Sequence, residues 1–558
     1  MRAQVFDALA EVGDPAPAVA ADLADLDVPV IGADRDIALA VTLGGSGVDA
    51  TNDSGLLVVQ AGGRVNALAA REGEQLPDAD GASTAFPELR LAPGPRLVFR
   101  AAWSSSNPSG GDGVYAWSAG AAAPTAIART GAPVPDEPEL LFRLFSQLRA
   151  GPSGDAVHWN SGLSSTTGGA FEDSIGGAVG SAPAALRLSE ASLDPSYGMF
   201  STNFRASPGG RWALAVTVTE TSPFARYRAL MLDGSAVLRE GDVGLEVFSV
   251  VGLNDAARVL FFGGTRSGGQ TSLWVHDAGS TTSVAEAGDV TPIAGTTWGA
   301  ETFTDATRVA LGEAGHVALR AHLDGAPAAT DEAVLVLSPD LSAWTVLSRE
   351  GDDAPGVSGA TFGTLTRTAS SLPENTVAIN ARGDVLIRAL LEGPGVDAGT
   401  RDALFVSHAG GSPELLVREG QEVLVDGDPH TLVGFDVQLG SGGQDGLPTG
   451  YGDDGRIALR IDLVPGDPAS MPDPGVGRRR LVGVLEDSGA LRRIGAAPIG
   501  GLVDGGPAPD GGVSDGGAAP RSMGGCAVSA GSSPTASLWP LAIAALVLGA
   551  RARRRRTA

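Results

Sequence analysis

Four arginines stand at one equivalent position of a recurring segment: Arg100, Arg320, Arg388 and Arg460. A guanidinium is always charged and carries its donors in a fixed fork. A row of them facing a channel or rim would bind an anionic polymer such as an acidic polysaccharide. The plainer reading, which we favour, pairs each with Asp or Glu of a neighbouring repeat. Acidic turns recur too, at Glu240-Gly241-Asp242, Glu350-Gly351-Asp352-Asp353 and Asp453-Asp454. Calcium takes about six to eight oxygen ligands, but no segment has the Asp-x-Asp-x-Asp-Gly spacing followed by Glu. These are read as solvated turns.

The six histidines, His158, His276, His316, His322, His408 and His430, form no His-Glu-x-x-His pattern. His316 and His322 fall on one face of one strand, which would allow a metal pair; packing or exposure suits their repeat positions better. Gly512-Val513-Ser514-Asp515-Gly516 copies the nucleophile elbow, a motif that needs a strand before it and a helix after it. Here it sits in a stretch of Gly, Pro and Asp. Arg382-Gly383-Asp384 copies an adhesion tripeptide and is read as the repeat's own turn. All 39 basic residues are arginine; without lysine there is no P-loop lysine, Schiff base or Ser-Lys dyad. A single cysteine allows neither an internal disulfide nor a cysteine-built zinc site. No catalytic, cofactor or metal residue is assigned. The net charge of −26 argues against nucleic acid.

The elements that position these residues come from self-similarity. A turn leading into an alternating apolar strand is clearest at Gly315, Gly383 and Gly455, with weaker copies at Arg35, Pro95, Gly154, Gly210 and Ala257. Two more elements follow in fixed order. One is a strand, as in 55–59, 113–117, 272–276, 333–337 and 403–407. The other is an Arg-Glu-Gly turn, as at Arg71-Glu72-Gly73, Arg239-Glu240-Gly241, Arg349-Glu350-Gly351 and Arg418-Glu419-Gly420, with variants at Gly13 and Gly288. Four short strands per period, with almost no helical pattern, predict an all-β β-propeller over residues 1–498, of eight four-stranded blades or alternatively seven. Ring closure is expected from strand material at 4–12 or at 491–494. Residues 499–525 are a Gly/Pro/Asp-rich linker of flexible type.

Residues 526–558 make a membrane-sorting tail. An uncharged run at 534–550 is long enough for a short transmembrane helix. Trp539 suits the membrane interface, and Arg553, Arg554, Arg555 and Arg556 hold the basic end on the cytoplasmic side. Gly525-Cys526, the spacer, the helix and the arginines resemble the myxobacterial C-terminal sorting signal processed by a myxosortase. That resemblance implies that Gly525 and Cys526 form the processing motif, with Cys526 the processing residue, cut by an intramembrane sorting protease that discards the helix and arginines and leaves the body on the cell surface. No signal peptide is visible after Met1, which suggests a start placed too late or a fragment. The repeats also resemble a family of surface proteins with an Asn-x-x-Gly-x-x-x-Phe motif, best matched by Asn380…Gly383…Ile387 and Asn254…Ala257…Phe261.

The expectation is thus a non-enzymatic surface protein of the outer envelope with a binding or structural role and an unknown ligand, such as polysaccharide. The competing class is a propeller lyase or hydrolase acting on glycans, marked by paired carboxylates at the channel mouth. A partner-docking scaffold would instead show a large apolar patch on one rim.

Overall fold

The computed structural model describes residues 4–486 apart from 33–35, 61–65, 95, 105–109, 136, 152–153, 167–171, 181, 183, 190–196, 201–203, 222–223, 366–376, 426–427, 442 and 467–477. Backbone contacts group Met1–Ile494 as one unit. The linker, the elbow-like Ser514 and the whole sorting tail lie outside the described residues. So does the alternative closing segment at 491–494.

The described chain is all-β, with three single-turn 3-10 helices among strands that form eight separate sheets, antiparallel but for one short parallel pairing in the eighth. The fifth sheet is the plainest: Val247–Leu253, Val259–Thr265, Gly269–Asp277 and Ser280–Glu286, each paired with the next. The other blades occupy residues 22–71, 83–129, 133–189, 197–239, 297–349, 361–418 and 422–486, the last completed by Gln4–Glu11. The predicted strands are present, for instance Ser54–Val59, Gly111–Ser118 and Asp402–Ser407.

Eight apolar clusters separate the eight blades, and each draws on two successive sheets. The one that unites Ala458 and Val482 of the eighth blade with Leu39 and Leu57 of the first makes the row a ring. An open row would have one seam fewer, so the count is eight blades and the alternative of seven falls. Blade three, whose repeat is eroded, carries a cluster of aromatic side chains. Phe142, Phe145 and Trp159 pack with ring centroids 5.5–6.4 Å apart, a spacing at which aromatic pairs attract.

Closure uses the N-terminal strand. Residues 7–11 pair antiparallel with 481–484, while residues 4–6 pair parallel with 423–425. The eighth blade therefore closes on itself as a five-stranded barrel rather than remaining an open four-stranded sheet.

The Arg-Glu-Gly turn is the seam between blades. Its glycine has φ of +77° to +100° at Gly13, Gly73, Gly131, Gly241, Gly288, Gly351 and Gly420, a region that disfavours any Cβ. In that conformation each glycine N–H points forward and donates to a carbonyl at or just before the next blade's first strand. Examples are Gly73 to Ser83 at 2.9 Å, Gly351 to Phe362 at 2.7 Å and Gly420 to Leu432 at 2.7 Å. The glutamate faces backward: Glu240 and Glu350 accept from the N–H of Arg228 at 2.9 Å and Glu332 at 3.2 Å. The arginine fixes the preceding loop, with Arg71 Nε on Asn52 O at 3.1 Å and Arg349 Nε on Thr330 O at 3.0 Å. Arg129-Thr130-Gly131 is the second blade's version, which the sequence reading missed because threonine replaces glutamate.

The Asn-x-x-Gly segment also has a local cause. Asn380 Oδ1 accepts from the N–H of Arg382 and of Asp384, both at 3.0 Å, and Gly383 N–H returns to Asn380 O at 3.0 Å. Asn254 does the same for Arg258, while its amide reaches Glu313 O of the next blade at 3.2 Å. Ser207 stands in where asparagine is absent, accepting from Arg211 N–H.

Candidate functional site

In the eighth blade the strand Asp428–Val437 is followed by an insertion, residues 438–450 (442 lies outside the described residues), that crosses the ring axis. Its carbonyls accept from inner strands of four other blades: Thr449 O from Ile31 N–H at 2.8 Å, Gly446 O from Ala150 N–H at 3.3 Å, Asp445 O from Ala206 N–H at 3.3 Å and Gly440 O from Ile379 N–H at 3.0 Å. A segment can meet blades one, three, four and seven at once only along the common axis. Among the described residues, the central channel is therefore crossed by the chain's own segment. Gly446 is required there: φ is +73°, and a Cβ would lie 2.5 Å from Ala206 O.

Against this plug stand three buried arginines that sequence reasoning overlooked: Arg90, Arg149 and Arg205. Their signal was legible, since Leu89-Arg90-Leu91, Leu148-Arg149-Ala150 and Phe204-Arg205-Ala206 each set one cation inside an apolar inner strand. Each Nη1 donates to the carbonyl of the residue before, at 2.7, 3.0 and 3.2 Å. Each Nε reaches onward: Arg90 to Gly446 O at 3.1 Å, Arg149 to Phe204 O at 3.0 Å and Arg205 to Val251 O at 3.3 Å. Burial, with Arg205 and Arg90 close by, lowers Arg149 to about 9, opposed by Glu88 and Asp445.

Asp445 is the plug's answer to this charge. Its Oδ2 lies 3.2 Å from Arg205 Nε, and its Oδ1 accepts from Ser441 Oγ and from Leu447 N–H. Beside this pair lies a cavity of about 200 Å³ between the plug and blades four to six. Val251, Val309, Leu439 and Leu447 supply apolar wall, Arg205 and Asp445 the charge, and half-buried Ala306 and Thr307 the outer side.

The four arginines singled out from the repeat do share one structural position, on the second strand of their blades. Each is engaged by groups of its own or the next blade. Arg388 makes two bonds to Asp402, at 3.1 and 2.8 Å, donates to Phe435 O at 3.0 Å and stacks 4.9 Å over the Phe435 ring. Asp436, 3.5 Å from Arg388, also pairs with Arg460, which bonds to Leu26 O of blade one at 3.2 Å. Arg320 lies 3.8 Å from Glu332 and 3.5 Å from Leu365 O. Arg100 sits between Glu88, at 3.0 Å, and Asp112, at 3.3 Å. Most of these acids belong to the arginine's own blade, and backbone carbonyls tie Arg320, Arg388 and Arg460 to the next. Among the described residues, a neighbour-blade carboxylate meets Arg388, in Asp436.

Of the acidic turns, Asp453 serves adjacent backbone, its Oδ1 accepting from Ala381 N–H at 2.8 Å, and Asp255, outside them, does the same for Gly209 N–H at 2.7 Å. Among the described residues no group of three His, Cys, Asp or Glu is arranged to hold a metal. His316 lies in the turn before the strand that carries His322, packed against Gly383, and His322 faces Asp324 at 3.7 Å. Gly525, Cys526, Trp539, Arg553, Arg554, Arg555 and Arg556 lie outside the described residues, among which no helix is long and apolar enough to cross a membrane.

His158 is wholly buried beside Phe204, and burial, with Arg187 nearby, lowers its pKa to about 3. A depressed histidine contributes stability that is complete above about 6.5 and is lost as pH falls toward about 3, at about 1.4 kcal/mol per pH unit. Urea midpoints of the wild type should therefore fall between pH 6 and 4, and more steeply than those of His158→Leu. Equal slopes would refute this assignment.

Comparison with known proteins places the chain only broadly. No curated protein matches it. Among solved structures it resembles a mutant of puromycin hydrolase in complex with PGG (12% identity, TM-score 0.34, 78% of this chain and 58% of that one). A eukaryotic initiation factor structure matches at 10% identity and TM-score 0.34, over 83% of this chain and 90% of that one. Pyrococcus horikoshii acylaminoacyl peptidase matches at 8% and 0.31, over 70% and 52%. The chain thus spans little more than half of either hydrolase, and scores this low carry no functional argument. Residues 2–172 and 231–467, most of the propeller, match a single family, and the chain belongs to it: DUF7453, a family of unknown function.

Proposed function

We propose that the protein is a non-enzymatic propeller with a binding or structural role, displayed at the outer envelope through its C-terminal tail. The filled axis carries the first half of this reading. Hydrolysis of a glycoside needs two carboxylates about 5–10 Å apart across the scissile bond. Asp445 is the one carboxylate among the described residues lining the axial cavity, and it is held by Arg205, Ser441 and Leu447. The second half rests on Gly525-Cys526, the uncharged run at 534–550 and the terminal arginines, a combination suited to membrane insertion followed by processing.

Fractionation of cells expressing the full gene beside a Cys526→Ala variant tests the display. The variant should stay with the inner membrane while the wild type reaches the surface. Unchanged surface retention would discard the sorting role of Cys526. Cleavage of acidic polysaccharide by the purified protein would overturn the non-enzymatic reading.

A further inference from the structure

We propose that the axial cavity binds a small organic monocarboxylate, received by the guanidinium of Arg205. The inference takes up the binding role above but is independent of surface display.

Charge comes first. Glu88 joins Arg90 and Arg100, at 3.3 and 3.0 Å, and its Oε2 also accepts from Leu148 N–H at 3.0 Å. With Asp112 on Arg100 and Asp445 on Arg205, four guanidiniums (Arg90, Arg100, Arg149, Arg205) face three carboxylates (Glu88, Asp112, Asp445). On these pairings one positive charge, that of Arg149 beside Arg205, is left over among the described residues of a largely buried cluster, where an uncompensated ion is strongly unfavourable. A bound monoanion would neutralise it.

Arg205 is the member placed to receive that anion. Only 7% exposed, it lines the cavity; its Nε and Nη1 are engaged, and its Nη2 has no hydrogen bond among the described residues. A charged N–H donor such as Nη2 makes its stronger hydrogen bonds to anionic oxygens, and a carboxylate oxygen is one. Asp445 alongside would repel a second negative charge, which disfavours a dianion.

The walls choose the rest of the ligand. Val251, Val309, Leu439 and Leu447 suit a hydrocarbon or ring, and Thr307 and Gln438 offer hydrogen bonds near the half-buried outer side. A cavity of about 150 Å³ accepts benzene, so this one, at about 200 Å³, has room for a ring that bears a carboxylate.

Benzoate is the probe, with benzamide as its neutral isostere and inorganic phosphate, mostly HPO₄²⁻ at about pH 8, as the dianion, titrated calorimetrically at that pH into the full-length protein. Benzoate should bind with Kd at or below about 1 mM, at least about tenfold tighter than benzamide or phosphate. Arg205→Gln should abolish the preference for the anion. Because that change touches a buried pair, Thr307→Phe serves as the second variant: it should fill the cavity and remove benzoate binding with the urea midpoint kept. Equal affinity for benzoate and benzamide, tighter binding of phosphate, or undiminished binding to Thr307→Phe would each overturn the proposal.

Discussion

Asp445→Ala is expected to destabilise the folded protein by about 3–5 kcal/mol, the range for removing one partner of a buried ion pair. The reason is what remains. Arg205 would lose its carboxylate, and the inner-strand cations Arg90 and Arg149 would keep only the shared Glu88. Ser441 Oγ and Leu447 N–H would lose their acceptor as well, loosening the plug that bonds to blades one, three, four and seven. Asp445→Asn keeps an acceptor but not the charge and should fall between Ala and wild type. Asp454→Ala is the control: that aspartate is partly exposed and pairs with Arg456 in a surface turn, where such pairs contribute about 0–1 kcal/mol. Urea midpoints measured together decide it. Equal, small losses for Asp445→Ala and Asp454→Ala would mean that the plug is a surface loop with no part in holding the ring.

The ring was legible because it is written in backbone requirements. A positive-φ glycine between one blade's last strand and the next blade's first leaves a residue-level mark, and Gly73, Gly241, Gly351 and Gly420 carry it. The same holds for turns at Gly315, Gly383 and Gly455, all with φ near +85°. Where another residue meets the same need the mark fades. Ala257 adopts φ +65° in place of glycine, and Thr130 replaces the glutamate of the seam. Gly154 looks like its repeat equivalents but is needed for closeness, since a Cβ there would lie 2.2 Å from Pro208 O.

The candidate site was hidden for a different reason. Arg100, Arg320, Arg388 and Arg460 stood out because they repeat, and a feature that repeats with the blade tends to serve the blade. The axial plug occurs once. Residues 438–450 look like a turn-rich loop, and nothing local states that Gly440, Asp445, Gly446 and Thr449 each find a partner in a different blade. The Arg90, Arg149 and Arg205 series was visible as isolated cations in apolar strands. Its meaning depended on knowing that the first strand faces the axis, which only the assembled ring supplies.

Deleting residues 4–11 should have an effect of at least comparable size, because it removes the one strand that closes the circle. That strand pairs on both edges, with 481–484 and with 423–425, and Glu11 holds Arg479 through two bonds at 2.7 and 2.6 Å. Ala10 is buried in the cluster that joins blades eight and one. Without the strand, Arg479–Glu486 becomes an open edge, a template for pairing with other chains. The truncated protein should show a lower urea midpoint and self-associate in light scattering. A synthetic peptide of residues 4–12 should restore the monomer by adding a strand to that edge. A peptide with Glu11 changed to Arg should fail, since it would set like charges against Arg479. If the truncated chain stays monomeric with an unchanged midpoint, the ring is closed by the packing of its inner strands and plug, and the N-terminal strand only covers an edge that was already safe.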